Sequence, residues 1–285
     1  MNEITPTANE YADERFAAAA LQRAVTALHT DGFVVINGVV DHAHLDLLRE
    51  RMTEDLATVR TLPVVPHNFV WGNVQQGPPP DAGLVFRDVM ANPFVCQVTR
   101  AVLGPGAFND CLTGNTNLPG SGLQPVHVDD GQLWPDLGIA HPAARLVVNI
   151  ALGDTTLENG AIELWPGTHL DTHVVIGGSI RVPEERVAAR RAVRGPVRGA
   201  TRKGAVLIRD MRLWHRGTPN RGTEPRFMIA MIHSVAWYRR ATRCELEQAC
   251  APVFAGCPIE NAIPLVPRPR EHLAGNHRYE YDGPN

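Results

Sequence analysis

The sequence lacks any long run of apolar residues. Its uninterrupted apolar stretches, such as residues 16–21 and 33–36, fall far short of the roughly 20 residues that a membrane-spanning helix needs. The first fifteen residues are acidic and polar, where a signal peptide would carry positive charge followed by an apolar segment. We therefore expect a cytoplasmic protein that makes no membrane contact.

Cysteine, serine and lysine are scarce, and each shortage argues against a class of site. The five cysteines form an odd set without a C-x-x-C pair, which argues against a disulfide framework or a four-thiolate zinc site and favours reduced, buried thiols. None of the three serines lies in the G-x-S-x-G turn of a serine hydrolase. Lysine occurs once, and a formal net charge of -3 gives no support for nucleic-acid binding.

The remaining composition, 44% hydrophobic and 20% charged over 285 residues, is that of an ordinary globular protein. The spacing of apolar residues predicts helices over residues 12–29, 42–62 and 93–103. The stretch 31–40 predicts a turn followed by a buried strand, and residues 67–83 are rich in Asn, Gln, Gly and Pro, which predicts mostly loop. The N-terminal third is therefore expected to be mainly helical.

From residue 107 the pattern changes to short β-like runs separated by Gly, Pro and Asn. The runs are 108–118, 123–129, 144–152, 161–167, 205–215 and 226–238. Short strands without alternating long helices favour an antiparallel sandwich or barrel. We predict one domain over residues 1–285, with a mainly helical flank holding one core strand (1–106), a β core (107–240) and a C-terminal extension (241–285).

The predicted core contains a basic insertion at residues 174–203. Its stretch 181–203 holds eight basic side chains, and Pro183 marks the start of an amphipathic, solvent-exposed helix that ends near residues 195–196. A phosphate-binding face is the alternative interpretation. Because the insertion lies between two strands, it is also a candidate lid.

The sharpest local feature is His127-Val128-Asp129. Residues two apart on a strand point to the same face, so His127 and Asp129 can bind one ion together. His215 is the best third ligand, because it ends an apolar run and is followed by the turn-forming sequence RGTPNRG. Two histidines and one carboxylate make the facial triad that leaves coordination positions open on non-haem Fe(II).

Arg226 begins the next predicted strand, eleven residues after His215. If the two strands pair as a hairpin, Arg226 returns close to the metal-bearing end. A guanidinium there can bind a carboxylate through two parallel hydrogen bonds. A surface ion pair is the alternative for Arg226 taken alone.

Four ordered blocks span most of the chain: DGFVVINGVV, QPVHVD, ENGAIELWPGTH, and DMRLWHRGTPN followed by PRF. Together they resemble the phytanoyl-CoA dioxygenase family of Fe(II)/2-oxoglutarate-dependent oxygenases. The resemblance implies a mainly β fold with flanking helices, a double-stranded β-helix or cupin-like jelly roll. It also implies Fe(II) as cofactor, with 2-oxoglutarate and O2 as co-substrates.

The resemblance further implies roles for individual residues. Iron would be held by His127, Asp129 and His215, and Arg226 would pair with the C5 carboxylate of 2-oxoglutarate. Weaker transfers place Asn149 and Thr113 at the co-substrate. Some members carry a serine where this chain has Gly217, and Thr218 is the candidate to replace its hydrogen bond. The carboxylate at Asp129 argues against halogenation, for which relatives have a small residue there.

The leading hypothesis is a dioxygenase that hydroxylates a small molecule, or oxidises it further to a ketone, in bacterial natural-product or antibiotic biosynthesis. A zinc-dependent hydrolase and a non-catalytic cupin-like binding protein are the alternatives. An amino-bearing substrate is favoured if Asp130, Asp136 and Glu163 face the pocket, and an acidic one if the basic insertion covers it. A homo-oligomer is left open, because nothing in the sequence reports the oligomeric state.

Overall fold

A computed structural model describes residues 2–134, 136–175, 177–242, 244–273 and 275–285. The helices are α1 (Ala8–Ala12), α2 (Ala18–Asp31), α3 (His42–Val59), α4 (Arg87–Met90), α5 (Pro93–Leu103) and α6 (Glu184–Val193), with 3-10 helices at Thr168–Leu170 and Gln248–Phe254. The strands are β1 (Glu3–Ile4), β2 (Phe33–Ile36), β3 (His67–Asn68), β4 (Val70–Gln75), β5 (Phe108–Asn117), β6 (Arg145–Ala151), β7 (Glu163–Leu164), β8 (Val197–Arg198), β9 (Val206–Asp210), β10 (His215–Arg216), β11 (Arg226–Ser234), β12 (Leu246–Glu247), β13 (Glu260–Asn261) and β14 (Leu265–Val266).

A large mixed sheet faces a small one. The large sheet has the strand order β1-β2-β9-β6-β11-β5-β4-β3, and β13 pairs with the far end of β5. The small sheet has the order β10-β7-β8, and β12 and β14 form a separate parallel pair. Over the described residues the large sheet stays open, so the two layers do not close into a barrel.

The strands of the large sheet present alternate side chains to its two faces, as the period of two requires. In β6, Leu146, Val148 and Ile150 join the main apolar core, which also contains the buried faces of α2, α3 and α5. Val147 and Asn149, on the opposite face, point toward the small sheet. The helices therefore cover one face of the large sheet, and the other face lines the space between the sheets.

The space between the sheets is filled at one end and open at the other. Phe33, Val35, Leu164, Leu207 and Leu213 form an apolar cluster that joins β2 and β9 to the small sheet. Beyond this cluster the inner face becomes polar and borders a cavity. This arrangement is the helix-flanked jelly-roll core that the sequence predicts.

The three predicted helices are present, and one of them begins later than expected. The carboxylate of Asp41 caps α3 by accepting a hydrogen bond from Ala43 N, and α5 begins at Pro93, as expected. The helix predicted at residues 12–29 begins later, as α2 at Ala18, because a separate short helix α1, started by the capping box of Thr7 and Glu10, ends at Ala12. The chain then breaks so that Phe16 enters the core before α2 begins.

The loop predicted at residues 67–83 is confirmed only for residues 76–83, and the single strand expected in residues 1–106 is wrong. Residues 67–75 form β3 and β4, so the N-terminal flank contributes four strands, β1 to β4, to the large sheet. Asn73 and Gln75 have low strand propensity, but they face the polar cavity and not the dry core. Strand propensity misleads here because it reflects packing in apolar surroundings.

Two segments near the metal motif do not form the strands that were predicted for them. Residues 123–129 form no regular strand, and His127 takes part only in isolated bridges to Arg181 and His215. The run 205–215 is broken after Asp210, whose carboxylate accepts a hydrogen bond from the backbone N–H of Arg212. His215 therefore starts β10 in the small sheet and does not end the apolar strand β9.

The basic insertion contains α6, which begins after Pro183 as predicted. Its arginines are held by the body of the protein: Arg194 pairs with Asp31 at 2.6 Å, and Arg190 donates to the carbonyl of Pro166. In the described part of the chain, no helix combines the length and the apolar character needed to cross a bilayer.

Candidate active site

The cavity between the two sheets has a volume of about 340 Å³. Its walls come from the inner face of β4, β5, β6, β9 and β11 and from the loops that precede and follow the small sheet. His127, Asp129, His215 and Arg226 all line it. The structure thus brings together the four residues on which the sequence hypothesis depends.

The triad of His127, Asp129 and His215 is held by backbone hydrogen bonds. His127 and His215 exchange N–H to carbonyl bonds of 2.9 Å each, and Asp129 N donates to the carbonyl of Met211 at 2.9 Å. One ligand atom from each of the three side chains lies within 4.8 Å of the others. This spacing suits a single metal ion.

The ring nitrogens of both histidines have distinct roles. Nδ1 of His127 lies 2.9 Å from the carbonyl of Pro125, and Nδ1 of His215 lies 2.9 Å from the carbonyl of Leu213. A carbonyl only accepts, so each Nδ1 carries a proton, and in the neutral imidazole Nε2 then keeps its lone pair. That tautomer is the one that binds metal through Nε2.

The pKa shifts of His127 and Asp129 also suit metal binding. Burial and the neighbouring His215 lower the pKa of His127 to about 3. Burial alone would raise the pKa of Asp129, but Arg209 and His215 together hold it well below its usual range. A neutral imidazole next to an ionised carboxylate at neutral pH is the state that a divalent cation requires.

Arg226 is the first residue of β11 and is 9% exposed. It reaches the cavity through the pairing of β11 with β5 and β6, so the predicted hairpin with the His215 strand is wrong. Burial lowers its pKa to about 10, which still leaves the guanidinium charged at neutral pH. Within the described chain it pairs with no carboxylate, and its Nε donates to nothing.

The three weaker co-substrate candidates have different positions. Thr113 and Asn149 line the cavity, where both lie opposite Ala230 of β11. Thr218 is not brought to the cavity wall. Its hydroxyl donates to the carbonyl of Ala161 at 2.8 Å and accepts from Arg198 at 2.6 Å.

Two amides occupy the space next to Gly217. A Cβ on Gly217 would lie 2.7 Å from Oε1 of Gln124 and 2.9 Å from Nδ2 of Asn73. Gln124 Oε1 accepts from the backbone N–H of Gly217 at 2.7 Å. Gln124 and Asn73 therefore fill the space that a side chain at position 217 would need.

Sequence reasoning missed one charged residue of the cavity and most of its amides. Arg209, in β9, donates to Asp129 and was not among the predicted site residues. Alternation along β9 was the available signal, because it places Arg209 on the face opposite Ile208. The amide side chains in the lining are Asn68, Asn73, Gln75, Asn115, Gln124 and Asn149.

The family model described as "Phytanoyl-CoA dioxygenase (PhyH)" matches residues 28–228 of the chain. The epimerase SnoN, crystallised with Fe3+, alpha ketoglutarate and nogalamycin RO, is 19% identical with a TM-score of 0.60, covering 77% of this chain and 85% of SnoN. The non-heme alpha ketoglutarate dependent carbocyclase SnoK from nogalamycin biosynthesis is 18% identical with a TM-score of 0.60, covering 81% and 89%. At this identity the likeness to both structures shows a shared fold.

Proposed function

The chain belongs to the phytanoyl-CoA dioxygenase family of Fe(II)/2-oxoglutarate-dependent oxygenases, and on that premise we propose that its cavity oxidises a small molecule at an iron held by His127, Asp129 and His215. The tautomers and charges of the three side chains fit a divalent iron and leave coordination positions open. When bound, the iron would couple oxidative decarboxylation of 2-oxoglutarate by O2 to removal of hydrogen from the substrate. The products are succinate, CO2 and a hydroxylated molecule, or a ketone after further oxidation.

Arg226 is the observation that carries the proposal. Burying a guanidinium without an anionic partner carries a desolvation cost. That cost is offset when a carboxylate binds the guanidinium in the same low-dielectric space. The triad and Arg226 line one cavity, so a dicarboxylate can reach the metal at one end and the guanidinium at the other. A zinc hydrolase would use the triad and leave this charge unexplained.

We propose that Thr113 and Asn149 contribute hydrogen bonds to the co-substrate. Both side chains line the cavity at the same level of the sheet, opposite Ala230. Oδ1 of Asn149 accepts from Arg209, which leaves its amide nitrogen available as a donor. In the described structure the hydroxyl of Thr113 makes no hydrogen bond to another side chain, so it can turn toward a ligand oxygen.

For the prime substrate, we propose a neutral, oxygen-rich molecule of secondary metabolism. Asp130 pairs with Arg145 at 3.1 Å and Glu163 with Arg216 at 2.8 Å, and neither carboxylate lines the cavity. Asp136 is exposed outside it. The described lining thus offers carboxamides and aliphatic side chains, without a carboxylate beside Asp129 that could bind an ammonium group.

The similarity to SnoN and SnoK supports this choice of metabolism. Both come from nogalamycin biosynthesis, and SnoN was crystallised with a nogalamycin derivative. The two proteins catalyse different outcomes, an epimerisation and a carbocyclisation, on a shared fold. The fold therefore does not select the outcome, which depends on how the substrate is placed against the metal.

The test loads the protein anaerobically with Fe(II), adds 2-oxoglutarate, and follows the visible charge-transfer band that metal-bound 2-oxoglutarate produces. O2 is then admitted and succinate is measured, with polyketide glycosides, amino sugars and acyl thioesters as separate substrate sets. We expect the band, and succinate stimulated most by the neutral glycosides. A zinc-loaded sample that hydrolyses esters, together with no band and no succinate from the iron-loaded sample, would contradict the proposal.

A further inference from the structure

Arg209 lies at the centre of the large sheet, on the wall of the cavity. It is the fourth residue of β9, which is paired with β2 on one side and with β6 on the other. It pairs with Phe33 of β2 and Val147 of β6, and its side chain is 4% exposed. A guanidinium on a central strand is anchored far more rigidly than one on a loop.

The guanidinium makes two contacts from adjacent nitrogens. Nη2 donates to Oδ2 of Asp129 at 2.5 Å, and Nε donates to Oδ1 of Asn149 at 3.2 Å. Nη1 makes no hydrogen bond in the described structure. Asp129 is therefore the only anion that Arg209 contacts there, and Asn149 sets the orientation of the guanidinium plane toward it.

The two oxygens of Asp129 are consequently not equivalent. Oδ1 lies 3.5 Å from Nε2 of His215, whereas Oδ2 accepts the hydrogen bond from Arg209. We propose that Arg209 is a positioning residue that holds Oδ2, so that Asp129 binds the metal through Oδ1 alone. The inference rests on the proposed metal site and deepens it.

Single-oxygen ligation matters for the chemistry of the site. Three protein ligands on an octahedral ion leave about three positions, two for 2-oxoglutarate and one for O2. If Asp129 bound through both oxygens, it would take the position that O2 needs. Arg209 would thus keep the reactive position open without touching any reactant.

The geometry explains why an arginine stands at this place. Its planar fork reaches Asn149 with one nitrogen and Asp129 with another, so the hydrogen-bond direction is fixed by two points. A lysine would keep the positive charge but has a single nitrogen on a flexible stem. Arg209→Lys therefore separates charge from geometry, and Arg209→Gln removes both.

The experiment counts water molecules on Mn(II), which binds oxygen and imidazole ligands and does not react with O2 and 2-oxoglutarate. Water-proton relaxation is measured for the Mn(II)-loaded wild type, Arg209→Gln and Arg209→Lys, each before and after addition of 2-oxoglutarate. Arg212→Gln is the matched control, because Arg212 is also buried and ion-paired but lies outside the cavity wall. Circular dichroism shows that each variant is folded.

We expect about three exchangeable waters on the wild type and about one after 2-oxoglutarate binds. Both Arg209 variants should lose about one water in each state, while Arg212→Gln keeps the wild-type numbers. Three results would overturn the inference: unchanged water counts in the Arg209 variants, wild-type counts in Arg209→Lys alone, or the same loss in Arg212→Gln. If one Arg209 variant does not fold, the water count of the other variant still tests the inference.

The failure of this inference can be told apart from failure of the proposed function. If the wild type binds neither Mn(II) nor 2-oxoglutarate, the metal site itself is wrong and the inference falls with it. If the wild type binds both and the Arg209 variants keep its water counts, only the role of Arg209 is wrong.

Discussion

His127 and His215 exchange both of their backbone hydrogen bonds across a single antiparallel bridge, each at 2.9 Å. The bridge brings the two imidazole centroids to 4.3 Å although the residues are far apart in the chain. Asp129 follows on the same segment as His127 and is tied to Met211 by its backbone N–H. The convergence of the three side chains is therefore set by backbone pairing, as a preorganised site requires.

Asp129→Ala should remove metal binding. The variant keeps two histidines but loses the carboxylate that converges with them, the one such group among the described residues. We expect affinity for Mn(II), measured by calorimetry, to fall by more than the roughly 10- to 100-fold that loss of a hydrogen-bond partner outside the coordination shell costs. Asp154→Ala, at an exposed ion pair with Arg202, is the control. Retained Mn(II) affinity and succinate formation would remove Asp129 from the ligand set.

Arg226→Ala should weaken 2-oxoglutarate binding selectively. Loss of a buried charge-assisted pair costs about 2 to 4 kcal/mol, equivalent to roughly 30- to 700-fold in affinity. We expect the KM for 2-oxoglutarate to rise by about that factor, with little change in the KM for the prime substrate. Arg202→Ala, whose side chain is 89% exposed, should leave both constants unchanged. Equal effects on both substrates in Arg226→Ala would argue against a carboxylate clamp.

Thr113→Ala should change the KM for 2-oxoglutarate, whereas Thr218→Ala should change the free energy of unfolding. Thr113 lines the cavity, so its loss should raise the KM for 2-oxoglutarate with little effect on stability. Thr218 bonds Ala161 and Arg198, so its loss should cost about 1 kcal/mol of unfolding free energy and leave the KM unchanged. Urea titrations and initial rates on the two variants measure both effects. A raised KM in Thr218→Ala would restore the role that the sequence assigned to it.

His233 should make the stability of the protein dependent on pH. Burial lowers its pKa to about 4, compared with about 6.5 in an unfolded chain. Between these values the unfolded chain binds a proton that the folded protein does not. The free energy of unfolding is therefore highest above about pH 6.5 and falls as pH approaches 4.

His233→Gln should flatten that dependence by up to about 1.4 kcal/mol per pH unit. Urea titrations at several pH values across this window measure it. His173→Gln, at an exposed side chain, is the control. An unchanged slope in His233→Gln would mean that the imidazole is already protonated, or accessible to protons, in the folded protein.

The candidate metal motif was predictable from sequence because its residues are close together in the chain or lie next to turn-forming residues. Two ligands lie two residues apart, and a third precedes a turn-forming segment. The strand geometry behind that prediction was wrong, since residues 123–129 form no regular strand. The three side chains converge nevertheless, because a single backbone bridge at His127 positions them as a strand would.

Contacts between distant strands were not predictable in the same way. Arg226 was expected near the metal through a hairpin, but it enters the cavity because β11 pairs with β5 and β6. The polar β4 was taken for loop, since its amides resemble turn residues until the cavity that they face is known. The local spacing of residues predicts neither which strands pair nor whether the surface that a strand faces is polar.

The amino-acid sequence by itself determined which side chains could ligate a metal, which stretches are helical, and that one chain region carries most of the strands. These follow from residue chemistry and from periodicity, which are local properties. Only the tertiary structure decided that Arg209 contacts Asp129, that Thr218 bonds Ala161 and Arg198 outside the cavity wall, and that Arg226 pairs with no carboxylate of the described residues. Those facts depend on which strands lie side by side, and strand order is settled by the packing of the whole chain.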